Sequence, residues 1–349
     1  HVRVVAEQQD TSSGYVTLDN PAREFGDAAT LTFGQEFVSL FTPGDLFRFE
    51  LSGTAAFDGD ENDLYGSVIY RAPLGFSGTY GEVYLGNAVG DRDATGTLRQ
   101  TDLDGDTAIL AIGHPVIRDV DTYGYALLEA RRSSSDSDVD GVSTDFESTV
   151  NVIAASWIYG RALQNGGAFE YATNFAVGSR TSDAVGFSDG DKDFWHLRVG
   201  FGYQQPVSWF GENSSFRAEL WGQYTNDRLP SIEQFYLGGI DDERGYAFAE
   251  VQGDSGFSAV LQAGRDFFPQ SKVVRRFRPF GFVDVGYVDN NEPSVGEIDG
   301  EFLSSVGVGL DLEFENRFFA QAYVAVPMTS GSETDSGDPA FYLALSKSW

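Results

Sequence analysis

The stretch F-W-H-L-R-V-G-F-G-Y-Q, residues 194–204, sets the tightest limit on what this chain can fold into. Trp195, Leu197, Val199, Phe201 and Tyr203 fall on one side, and His196, Arg198, Gly200, Gly202 and Gln204 on the other. A repeat of two is the mark of a strand, whose successive side chains point to opposite faces. The pattern returns in L-F-R-F-E-L-S-G-T-A (46–55), where Phe47, Phe49 and Leu51 oppose Arg48, Glu50, Ser52 and Thr54. From Ser215 it comes again, with Phe216, Ala218, Leu220 and Tyr224 against Arg217, Glu219 and Gln223. One face carries full charges beside glycines. The other carries aromatics near the strand ends and small or aliphatic residues between them. Lipid outside and water inside require that division.

Strands of this kind are expected at 13–19, 28–39, 44–57, 62–72, 79–89, 104–114, 120–132, 146–161, 166–178, 193–207, 213–226, 254–268, 278–288, 302–314, 317–327 and 339–349. A soluble sandwich also alternates, but these strands are many and long, and almost no helical periodicity separates them. Their number is even, as closure of a bacterial antiparallel barrel demands. The expected fold is therefore all-β: a 16-stranded antiparallel transmembrane β-barrel over residues 11–349, with one long loop folded inward. Polar runs such as D-G-D-E-N-D (58–63), S-S-S-D-S-D-V-D-G (133–141) and S-G-S-E-T-D-S-G-D (330–338) read as turns and exposed loops. In the final strand Phe341, Leu343, Leu345 and Trp349 share a face, while Tyr342, Ala344, Ser346 and Ser348 take the other. A last strand that pairs with the first leaves no open edge.

Composition narrows the function. The 349 residues carry a formal charge of -30, which argues against nucleic acid, since phosphate needs a basic surface. Aromatic residues at 14% argue against disorder. No run approaches the roughly 20 apolar residues of a membrane helix, which leaves a barrel unaffected. The absence of cysteine fits an oxidising or exposed compartment. Only three histidines are present, His1, His114 and His196, and no Ser-His-acid spacing supports a hydrolase. D-L-D-G-D (102–106) and D-V-D-G (138–141) offer oxygens, but counting from Asp102 the glycine falls at the fourth position and no glutamate at the twelfth, so the calcium-loop grammar fails. No enzyme chemistry, cofactor or metal is expected.

One loop stands apart. L-P-S-I-E-Q-F-Y-L-G-G-I-D-D-E-R-G-Y (229–246) lies between the strands ending near Asn226 and beginning near Asp254, too long for a hairpin turn. In a wide barrel such a loop can fold inward. Arg244 would then need a carboxylate, because a desolvated guanidinium without a partner is expensive. In P-F-G-F-V-D-V-G-Y-V (279–288), Phe280, Phe282, Asp284 and Gly286 share one face, which makes Asp284 a candidate among many carboxylates.

These motifs closely resemble those of the TpsB transporters of two-partner secretion, haemolysin and adhesin secretion activators related to the BamA insertases. In that family the loop ends in Val-Arg-Gly-Tyr or Val-Arg-Gly-Phe and meets a Phe-x-Asp-x-Gly strand. Arg244, Gly245 and Tyr246 match the first motif, and Phe282, Asp284 and Gly286 the second. Glu233, Gln234, Phe235, Gly238 and Gly239 resemble the preceding E-Q-F-x-x-G-G element, in the form that favours TpsB over BamA. Y-R-A-P-L-G (70–75) and H-P-V-I-R (114–118) are similar to strand-end elements of these barrels. Glu243 departs from the pattern by standing where the family has valine, adding a negative charge beside the arginine.

The resemblance implies a Gram-negative outer-membrane protein that exports one large secreted passenger protein without nucleotide hydrolysis. It implies contact with outer-membrane lipid and lipopolysaccharide, and with the barrel assembly machinery during biogenesis. Residues 1–10 are expected to end a periplasmic POTRA domain or linker, the chain being the barrel part of a longer protein. A BamA-like insertase and a passive porin remain the alternatives.

Overall fold

Antiparallel hydrogen bonding runs from each long strand to the next until the last meets the first. The computed structural model describes residues 11–20, 28–56, 61–92, 101–139, 146–182, 190–293 and 298–349; the expectation for residues 1–10 lies outside them. The first eight strands are β1 (Ser12–Asp19), β2 (Ala28–Val38), β3 (Leu46–Ala56), β4 (Glu61–Pro73), β5 (Tyr80–Arg92), β6 (Thr101–Arg118), β7 (Thr122–Val139) and β8 (Phe146–Ala162). Then come β9 (Ala168–Ser182), β10 (Asp193–Val207) and β11 (Ser214–Tyr224). Within the long loop lie a 3₁₀ turn (Ser231–Glu233) and the short strands β12 (Phe235–Leu237), β13 (Gly239–Tyr246) and β14 (Val251–Gly253). The wall resumes with β15 (Ser255–Arg265), β16 (Val274–Asp289), β17 (Gly300–Phe314), β18 (Phe318–Pro327) and β19 (Ala340–Ser348).

All but the three loop strands form one closed cylinder, the expected sixteen-stranded barrel. At the seam, Tyr15–Asp19 pair with Ala344–Ser348. The ladder continues at both ends of β1: the Trp349 amide donates to the Gly14 carbonyl at 3.0 Å, and the Asn20 amide to that of Leu343 at 3.2 Å. The start of β1, the end of β19 and the shorter turns share one end. By the rule for outer-membrane barrels that end is periplasmic, and the long loop leaves from the extracellular mouth.

Polarity is inverted relative to a soluble protein. Leu110, Ile153 and Val308 are 61, 59 and 67% exposed, while His196, Asp284 and Ser305 are fully buried. The outward face carries aromatic pairs towards both rims. Phe33 with Trp349 and Tyr159 with Tyr171 lie towards the periplasmic end, and Phe175 with Trp195 and Trp195 with Tyr224 nearer the mouth. Such girdles sit where bilayer meets water. Among the described residues no helix is long and apolar enough to span a membrane.

Two expectations change. The acidic run at 133–139 is strand rather than turn: β7 continues through it, and β6 starts at Thr101, ahead of the expected 104, with Asp104 opposite Asp136. Residues 61–63 likewise belong to β4. Beyond the hydrocarbon layer a ladder still satisfies the backbone, and charges there stay hydrated, so strands outlast the membrane. The strand carrying His114 also runs past the expected bound of 114 to Arg118, so H-P-V-I-R forms the end of β6, with a bulge between Pro115 and Ile117.

Candidate functional site

Loop 225–254 turns into the lumen, and its tip lands on β15, β16, β17 and β18. Backbone conformation steers it there. Glu243 has φ +42° and Gly245 φ +104°, so left-handed residues flank Arg244. Such a φ is rare for a residue with a side chain and is held only where surroundings impose it. The tip then presents both the backbone and the side chain of Arg244 to one acid.

Arg244 Nε donates to Asp284 Oδ2 and Nη2 to Asp284 Oδ1, each at 2.8 Å, and the Arg244 amide reaches Oδ2 at 3.2 Å. The third nitrogen, Nη1, donates to Gln262 Oε1 at 3.1 Å. Below the guanidinium lies the Phe282 ring, with Cζ 3.4 Å from its centroid. Asp284 is fully buried and Arg244 7% exposed. A fork-on-fork pair over an aromatic face fixes direction as well as distance. The structure thus brings together Arg244, Phe282 and Asp284.

Gly286 belongs to the same contact. A Cβ there would collide with Glu243 Oε1, so glycine lets the tip lie against the wall. Gly245 lies close against Ala325 and Pro327, where a Cβ would be tight. The ring of Tyr246 is fully buried beside Leu237, Val251, Val288 and Leu303. Its hydroxyl is held by the backbones of Ser304 and Thr329, 2.8 and 2.7 Å from their carbonyls. Glu243 corrects the sequence reading. It sits on the inward loop, fully buried, and accepts from the Ser258 hydroxyl at 2.9 Å. Burial, reinforced by Asp242 and Asp284, pushes its carboxyl up to about 8, so at neutral pH it adds no full negative charge beside Arg244.

The upstream element is anchored elsewhere. Glu233, on the 3₁₀ turn, takes Arg131 Nη2 on both oxygens at 2.6 and 2.8 Å and His196 Nε2 at 3.1 Å. Arg198 Nη2 donates to its carbonyl at 2.9 Å, as does Gln223 Nε2 at 3.0 Å. Burial alone would raise the Glu233 carboxyl; His196, Arg131 and Arg198 outweigh it and hold the pKa below the ordinary value. Gln234 Nε2 donates to Asp254 Oδ1 at 3.1 Å. Phe235 pairs with Gly253, and Gly238 and Gly239 turn the chain at φ +101° and +139°. Downstream, Glu250 accepts from the amides of Ala247, Glu333 and Thr334, tying the tip to loop 328–339.

Several of these partners escaped sequence reasoning. Period-two parity puts His196, Arg198 and Gln223 inside, but not which acid they meet. Arg131, Gln262 and Glu250 carry the same parity or loop signal and were not singled out. The two strand-end elements converge: His114 Nδ1 lies 2.8 Å from Thr79 Oγ1, and Arg118 Nη2 donates to the Ser77 carbonyl at 2.7 Å, in the turn just after 70–75. In the last strand Phe341 is outward and exposed, Tyr342 inward and buried, and Trp349 Nε1 donates to Gln35 Oε1 across the seam at 3.2 Å. Leu343 and Leu345 pair with Ala322 and Ala320.

Comparison with known proteins gives the following. The family model described as haemolysin secretion/activation protein ShlB/FhaC/HecB matches residues 1–312. No curated protein matches the sequence. Among solved structures, CdiB from Acinetobacter baumannii is similar with a TM-score of 0.80 at 13% identity, over 98% of this chain and 60% of its own. CdiB from Escherichia coli gives 0.79 at 16% identity, over 99 and 64%. BamA from Haemophilus ducreyi lacking POTRA domains 1–3 gives 0.65 at 14% identity, over 98 and 71%. At these identities the likeness shows the fold. The chain spans less than two thirds of either CdiB chain.

Proposed function

The chain belongs to the haemolysin secretion/activation family of ShlB, FhaC and HecB, TpsB barrels of the bacterial outer membrane, and from that membership we propose that it carries one large secreted partner protein across that membrane. The observation that supports this reading most is the Arg244–Asp284 fork inside a closed cylinder, which pins a long loop to the inner wall. A passive pore has no need of such a pin. Arg244, Asp284, Phe282 and Gly286 act here as gating and positioning groups. The passenger contributes the driving force by folding outside; no nucleotide is consumed. The seam, hydrogen-bonded from Gly14 to Asn20, favours export through the lumen over release between β1 and β19. Outer-membrane lipid and lipopolysaccharide surround the apolar face, and the barrel assembly machinery inserts it.

Removing the gene from its host tests the proposal. Loss of one large protein from the medium, with normal levels of other outer-membrane barrels, is the expected result. A general fall in barrels would make it an insertase, and a defect confined to small-solute uptake would make it a porin.

A further inference from the structure

The loop is held on two walls that share no charged partner. Its tip is fixed to β15–β18 through Arg244, Asp284 and Gln262. Residues 228–234 form a strap that crosses to β7–β10. There Leu229, 2% exposed, packs on Val150, Val152, Ala154, Ala176 and Phe194, and Glu233 meets Arg131, Arg198 and His196. Sites without common partners respond independently.

The two attachments also differ in wetness. Asp284 and the Arg244 side chain are 0 and 8% exposed, so parting them strands charges in a dry site. Arg131 and Arg198 are 20 and 35% exposed although Glu233 is buried. When Glu233 leaves, both guanidinium groups and the freed carboxylate can rehydrate from the lumen, while the third partner, His196, stays buried. The strap's charged attachment is therefore the one that opens at the lower cost, and salt screens it more than it screens the drier pin.

We propose that Glu233, Arg131 and Arg198 form a second, releasable latch, which holds the strap across the lumen and opens without the Arg244–Asp284 pin. Arg131 and Arg198 are then positioning residues for transport. This rests on the transporter reading, but the position of the strap can be measured whether or not anything is exported.

The loop carries its own reporters: trypsin cuts after Arg228 at the strap and after Arg244 at the tip. In intact cells making the full-length protein, Glu233→Ala should raise cleavage after Arg228 at least tenfold and leave Arg244 protected. Glu233→Asp should give partial protection, and Asp284→Ala the reverse pattern. Raising NaCl from about 50 mM to 1 M should favour cleavage at Arg228 over Arg244 in the unaltered protein. Should Glu233→Ala fail to reach the membrane, Arg198→Ala, which removes the wetter partner, replaces it. Continued protection of Arg228 in these variants, or both sites opening together, would overturn the proposal.

Discussion

Asp284→Ala removes the acceptor of three hydrogen bonds from Arg244 in one step. Breaking a buried ion pair by deleting one partner costs about 3–5 kcal/mol, because the survivor is left desolvated. Arg244 would keep Gln262 Oε1 and the Phe282 face, the latter worth about 0.5–2 kcal/mol, so the lower half of that range applies to tip docking. About 3 kcal/mol corresponds to roughly a hundredfold rise in the undocked fraction. The barrel ladder is untouched, so the protein should keep its level and its heat-modifiable migration in gels while trypsin gains access to Arg244. Secretion should fall with it. If Arg244 stays protected and secretion stays normal at unchanged protein level, the pin carries neither the loop nor transport. Arg244→Met combined with Asp284→Leu should dock better than either single change, since no charge is then left unpaired.

Further outcomes follow from neighbouring residues. The Glu243 carboxyl is raised to about 8 against an ordinary 4.5, so the docked tip holds a proton that an undocked loop gives up. Docking is strongest below about pH 4.5 and weakens as pH rises to about 8, by up to about 1.4 kcal/mol per unit. Tryptic access to Arg244 between pH 6 and 8.5 should rise in the unaltered protein and stay flat in Glu243→Gln; equal slopes would contradict this. Leu110→Arg places a charge on the lipid face and should destabilise the barrel by about 2–4 kcal/mol in denaturant titrations. Ile109→Arg, one residue away and facing the lumen, should cost much less; equal costs would mean the faces are assigned wrongly.

Much of this was legible because barrel strands obey one simple rule. Every long strand of the wall was anticipated, and parity alone placed His196, Arg198 and Asp284 on the inner face. Where the reading failed, the cause was physical. Alternation reports a face, not where the bilayer ends, so β7 runs on past 132 through Asp136. A loop folded inward carries no period, so the landing of Glu233 on Arg131, a hundred residues upstream along the chain, leaves no local trace. Glu243 shows the third limit: its charge in the sequence is formal, and burial decides whether it exists.

The most direct measurement puts a photoreactive phenylalanine analogue at position 262, beside Arg244, in living cells and identifies the peptide it captures. The account predicts capture of residues 239–246 from the same chain. Capture of another segment only, or none at full protein level, would contradict an inward loop seated on β15 and β16.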